Sequence, residues 1–219
     1  MHSLTDIRRP VALTEEVYAR LFDQMMTHGI APGTKLSVDA LARTLTVSQT
    51  PIREALARLE AQGLVVKVHL VGYRVAERLE RSRLDQIYEM RLLTEPHLAA
   101  LAARNIGEKE RAELAALWQN MDTGAAFRTP EDYARFSRLD EEFHRGIAAA
   151  SGNKVIADAL SGLHVHVHLF RMSQPPTAIS DAILEHRRIV AALAAADPDA
   201  AARAMRDHIL NSQRRFAQD

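Results

Sequence analysis

A chain of 219 residues, 47% of them hydrophobic, has room for one large or two modest domains with packed cores. The absence of cysteine excludes disulfides, thiolate metal sites and cysteine nucleophiles. Its 28 basic and 28 acidic residues cancel, so any surface for nucleic acid must be a local one.

No apolar run approaches the roughly 20 residues that cross a bilayer. The segment MHSLTDIRRPVAL lacks the apolar stretch of a signal peptide. A cytoplasmic protein with no membrane partner is expected.

A helix-period pattern begins near Leu13. Val17, Leu21 and Met25 recur at four-residue spacing with Phe22 beside them, and His28, Gly29 and Ala31-Pro32-Gly33 end the run. VDALARTL is a short second helix with Ser37 placed as its N-cap. TVSQ is then a turn whose serine can cap a third helix, PIREALARLEAQG. Pro51 sits in the first turn of that helix, where its missing N–H costs nothing, and Gly63 stops it. In LVVKVHLVGYRVA, β-branched and aromatic residues flank Gly72, which predicts a small two-stranded ribbon. Helix, helix, tight turn, helix, ribbon is the order of a winged helix-turn-helix, whose third helix enters the major groove by its N-terminal end. From 43 to 74 there are five basic residues (Arg43, Arg53, Arg58, Lys67, Arg74) and two acidic ones (Glu54, Glu60). That excess is modest, and a winged helix used for protein contacts is the alternative.

From about Leu79 the pattern is helical throughout. About six helices are expected, near 82–104, 108–121, 130–150, 154–171, 177–196 and 198–216, broken at Gly, Pro and Asn clusters. The predicted fold is therefore mainly α: a winged helix-turn-helix over 1–78 and an all-helical bundle over 79–219.

Three of these helices place polar side chains where apolar ones belong. In 130–150, Asp140 falls between Phe136 and Phe143 on the inward stripe, and His144 flanks it one turn on. His186 lies between Ile183 and Val190, and His208 between Met205 and Ile209. A buried carboxylate costs several kcal/mol, roughly, unless paired or metal-bound. One carboxylate and three imidazoles suit zinc, nickel, manganese or iron, zinc being the first guess. Singly, each histidine also fits a hydrogen-bonded core residue, and Asp140 fits a salt bridge to Arg91 or Arg171. Helix 82–104 repeats the pattern, with Arg91 and Glu95 interrupting the seam of Leu84, Tyr88, Leu98 and Ala102. They suit either a pocket for a carboxylate ligand or an internal i, i+4 ion pair. Asn153 either points into that pocket or caps the following helix. His164 and Arg171 are further pocket candidates, and His166 and His168 cannot share one site with His164.

The stretch VSQTPIREALARLEAQGLV, with PGTKL upstream, resembles the DNA-binding domain of the GntR family of bacterial transcription regulators. RLLTEPHLAALAA, LDEEFHRGIAAASGN, EHRRIVAAL and AARAMRDHI resemble the FCD effector-binding domain of that family's FadR-like branch. The resemblance implies that Ser48, Gln49, Thr50 and Arg53 face double-stranded operator DNA, with Arg53 bidentate to guanine. It also implies phosphate contacts from Arg43 and Thr50, and a wing tip at Gly72 in the minor groove. Two positions depart from the family pattern. Gln49 stands where Arg is frequent, and Val71-Gly72 where the wing often has Arg-Gly. In the second domain the resemblance implies metal ligands Asp140, His144, His186 and His208, and an Arg91 that helps hold an organic acid.

The function expected is a homodimeric, metabolite-responsive regulator, commonly a repressor, with a small-carboxylate site anchored on a metal. The alternatives are a regulator for which the metal is the signal, and a metallo-hydrolase or lyase. Glu141 and Glu185 are possible bases for the enzyme, although each points about 100° away from the ligand beside it on the helix.

Overall fold

The computed structural model describes residues 11–27, 29–69, 71–122, 129–163, 165 and 178–216. Two compact units, Met1–Glu77 and Arg78–Asp219, divide the chain one residue before the expected 78/79 boundary.

In the first unit, α1 (Val11–Met26) buries Val17, Leu21, Phe22, Met25 and Met26. It packs against α3 (Gln49–Ala61), whose Ile52, Leu56 and Leu59 are fully buried. Apolar residues three and four apart produce this one-sided burial, and the opposite face of α3 stays in solvent. Between them lies α2 (Val38–Leu45), capped as expected by Ser37, whose hydroxyl accepts from Ala40 N. The turn from α2 to α3 depends on Thr46, which adopts a left-handed conformation at φ 56° and gives its N–H to Ala42 and Arg43 carbonyls. Ser48 occupies the N-cap position of α3, yet its side chain makes no capping hydrogen bond. Gly63 ends α3 at φ 70°, a conformation that a Cβ would strain.

The ribbon is three-stranded. β2 (Val65–Val68) and β3 (Gly72–Val75) pair antiparallel as expected, and β1 (Lys35–Leu36) pairs with the other edge of β3. The order is β1-β3-β2, and Leu36 and Tyr73, opposite each other, are both buried.

The second unit contains α4 (Arg81–Asn105), α5 (Glu108–Met121), α6 (Pro130–Ala150), α7 (Lys154–Ser161), α8 (Ala178–Ala194) and α9 (Pro198–Phe216). α9 lies against α4 and α8, and α6 against α4 and α5. One apolar cluster joins them, with Leu84, Tyr88, Phe136, Phe143, Ile147, Ile189, Leu193, Met205 and Ile209 at its centre. In α8, Ile179, Ile189 and Leu193 are fully buried, while Val190 is half-buried and packs against the same cluster. A capping box between Thr129 and Asp132 starts α6. Gly146 lets α5 approach, because a Cβ there would come within 2.7 Å of Leu114 Cδ2. The helix expected over 154–171 does not run unbroken: α7 stops at Ser161 and a turn follows at Gly162–Leu163. Glycine there lowers the helical preference enough for the turn to win.

Candidate metal centre and nucleic-acid interface

The exposed side of the helix-turn-helix carries Arg43, Ser48, Gln49, Thr50 and Arg53, all solvent-exposed. Thr50 lies opposite the buried stripe of Ile52, Leu56 and Leu59 and Arg53 lies to its side, so packing the core leaves both in solvent. Gly72 opens β3 at φ 101°, exposed, with nothing within 4 Å of where its Cβ would be. Its glycine is thus required by backbone conformation and not by crowding.

In the second unit, His144 of α6, His186 of α8 and His208 of α9 each offer a ring nitrogen within 4.8 Å of the others, and all three residues are buried. Asp140, one turn before His144 and also buried, brings Oδ1 to 3.2 Å from His186 Nε2. Three helices thus bring the four sequence-predicted ligands to one place. Phe143 packs against both His144 and His186, with ring centroids 5.8 and 4.7 Å away.

Two carboxylates grip this cluster. Glu95 of α4 sets Oε2 2.6 Å from His144 Nδ1, while its Oε1 accepts from Arg91 Nε at 2.5 Å. Burial raises the Glu95 carboxyl, but the Arg91 charge and the bonds from His144 and Arg91 outweigh it. The group is held well below the usual carboxylate range. Glu185 of α8 sets Oε2 2.8 Å from His208 Nδ1, and Arg215 donates to both of its oxygens at 2.8 and 3.0 Å. Asn211 donates to Oε1 at 3.0 Å. Burial raises Glu185 as well, yet the bonds from His208 and Arg215 bring it down to about 2. An ionised carboxylate only accepts, so Nδ1 of His144 and of His208 carries the proton, and Nε2 is the nitrogen each ring can offer a cation. Burial pushes His208 below the ordinary imidazole value, in the direction of the neutral ring that a metal requires.

From the sequence alone, Glu185 reads only as a possible catalytic base pointing away from His186. It does point away from its neighbour, and in doing so it reaches His208 on the adjacent helix. Arg215 and Asn211 escaped the sequence reading, although their i, i+4 spacing on α9 places both on one side.

Arg91, only 1% exposed, forms the ion pair with Glu95, and its Nη2 has no hydrogen-bond partner among the described residues. Glu95 and His144 also line a cavity between α4, α6, α7 and α9, with Glu141, Arg145, Leu98 and Met205 on its walls. Asn153 acts as a cap, its Oδ1 accepting from Ile156 N at 3.2 Å. It is not among the residues lining that cavity. His164 and Arg171, together with His166 and His168, lie outside the described residues. Tyr88 and Ser212 share a buried hydrogen bond of 2.8 Å next to Arg91.

A helix-turn-helix with an exposed polar recognition face, carried on the same chain as an all-helical unit, defines a DNA-binding transcription regulator. Residues 13–75 match the bacterial regulatory proteins of the gntR family, and residues 86–211 match the FCD domain. The chain belongs to the GntR family of transcription regulators, among the members that carry an FCD domain. It is 30% identical over 197 residues to an HTH-type transcriptional regulator of Streptomyces ambofaciens, covering 89% of this chain and 80% of the relative. It is 31% identical over 173 residues to a probable D-xylose utilization operon transcriptional repressor of Paenarthrobacter nicotinovorans, covering 77% and 73%. The E. coli McbR/YncC structure has the same fold, with a TM-score of 0.71 over 94% of this chain and 97% of that one at 24% identity. These relatives are regulators, so the metallo-hydrolase alternative is set aside. No helix among the described residues is long and apolar enough to cross a membrane.

Proposed function

We propose that this chain is a cytoplasmic, homodimeric repressor whose helical domain, 79–219, holds a divalent transition metal and binds a small organic acid beside it. Asp140, His144, His186 and His208 would hold the metal. The convergence of three buried imidazoles from three helices, next to one carboxylate, carries the proposal. The donor set fits: three nitrogens and one oxygen suit zinc, nickel, manganese or iron. The two carboxylate-bound Nδ1 atoms fit as well, since ligating histidines ordinarily give their other N–H to such a partner. Bound there, the metal supplies a Lewis-acidic centre for a carboxylate.

The protein's own residues do the rest. Glu95 and Glu185 set ring orientation and tautomer. The cavity beside His144 provides an apolar wall for the acid's remaining groups, and Arg91, paired with Glu95, does not line that cavity but keeps its Nη2 as a cation for the acid. On the DNA side, Arg53 reads guanine from the major groove, Ser48, Gln49 and Thr50 lie along the same face, and Arg43 and Thr50 meet phosphates. Gly72 forms the wing tip, and dimerisation sets the half-site spacing on a pseudo-palindrome. The acid must bind the DNA-competent and DNA-incompetent states with different affinity, and the connector at 76–83 would transmit that difference.

Metal titration of operator binding, with and without candidate acids, tests this. Release of DNA by an acid in the metal-loaded protein alone supports it. Binding that follows metal and ignores every acid makes the metal the signal. Binding indifferent to both removes the sensing chemistry.

A further inference from the structure

The side chain standing where the family often has arginine is tied inside the protein at both ends. Gln49 Nε2 donates to Asp39 Oδ1 of α2 at 2.6 Å, and Gln49 Oε1 accepts from Arg53 Nη2, one turn further along α3, at 3.2 Å. A glutamine that reads adenine uses its amide N–H and its amide oxygen together. Here one of the two amide N–H groups is given to a carboxylate and one lone pair of the oxygen to a guanidinium, and the two bonds together fix the orientation of the amide. The bond to Asp39 is charge-assisted and short, which makes it the firmer of the two. Breaking it to free the amide would also cost the exposed Asp39 carboxylate its Gln49 donor, on a surface meant for phosphates. Arg53 keeps further N–H groups on its planar fork after giving one to Gln49, enough for the O6 and N7 of guanine.

We infer that Gln49 reads no base of its own. It is a positioning residue, oriented by Asp39, that aims Arg53 at a single base pair. Asp39, outside every expected DNA contact, thereby becomes a determinant of operator specificity. The inference rests on the proposed placement of the α3 face in the major groove, and its test separates the two.

A preferred duplex is first selected from a randomised library with the full-length wild-type chain. Each position of that duplex is then varied and its binding measured for Q49A, D39A, R53A and the Q49A/R53A pair. R53A should flatten the preference at one guanine position by about tenfold or more. Q49A and D39A should weaken the preference at that same position, and Q49A should add nothing once Arg53 is gone. If Q49A instead flattens a second position, and its effect multiplies with that of R53A, Gln49 is a reader and the inference is overturned. If R53A flattens no position, the groove placement fails and takes the inference with it. A purely structural role for Gln49 would weaken binding equally on all duplexes, which also contradicts the inference.

Discussion

Glu185 and His208 meet across the α8–α9 contact, Oε2 to Nδ1 at 2.8 Å, with Arg215 clamped on the same carboxylate from the end of α9. A cluster of three imidazoles and a carboxylate is thereby anchored at its rim by a partly buried ion pair. Arg91–Glu95–His144 repeats the arrangement on the α4 side.

This arrangement predicts the effect of Glu185→Gln. The ligands remain, but His208 loses its charged partner and Arg215 its counter-ion. Metal affinity should fall about ten- to hundredfold, the usual effect of losing such a partner. Competition with a chromogenic chelator measures it, and affinity equal to the wild type would show that Glu185 does not orient a ligand.

Removing a ligand should do more. His186→Ala takes out a fully buried ring at the centre of the cluster. Metal content by elemental analysis should fall to background while the first unit keeps its fold and affinity for DNA. Retained metal would place the cation elsewhere.

Arg53→Ala should weaken specific binding by about 1–3 kcal/mol, concentrated at one base pair, and leave metal content unchanged. Anisotropy titrations on matched and mismatched duplexes separate this from a uniform loss. A uniform loss would make Arg53 a phosphate contact.

The metal-free protein should lose stability in acid, in two stages. His208 has a folded value below its ordinary 6.5, so folding favours the neutral ring, and the stability this gives is present above 6.5 and lost below it. Glu185 has a folded value of about 2 against 4.5, so its contribution is present above 4.5 and lost between there and about 2. Glu95 acts in the same direction. Chemical denaturation of chelated protein from pH 8 to pH 3 measures both, and stability that is flat or rising toward acid contradicts this electrostatic account.

Much of the architecture was legible in the residues because helical periodicity is a long signal. It placed α4, α5, α6 and α9 within a residue of their ends, and it exposed Asp140, His144, His186 and His208 as interruptions of apolar stripes. What it missed depends on neighbours distant in sequence. β1 is two residues long, too short to alternate, and exists only because β3 offers it an edge. Thr46 adopts a left-handed turn without glycine to announce it. The direction in which Glu185 leaves its own helix is legible in the sequence, but its partner is set by which helix lies alongside. Arg91 and Glu95 satisfy one of their two readings, the ion pair, in a way that extends to His144 and so joins the histidine cluster.

The most direct test of the account is a thermal-shift titration of the full chain. Chelated protein should melt lowest, and a divalent transition metal should raise the transition. Small carboxylates should raise it further only once that metal is bound. No shift with zinc, nickel, manganese or iron, or equal stabilisation by carboxylates before and after chelation, would contradict a metal-anchored acid site.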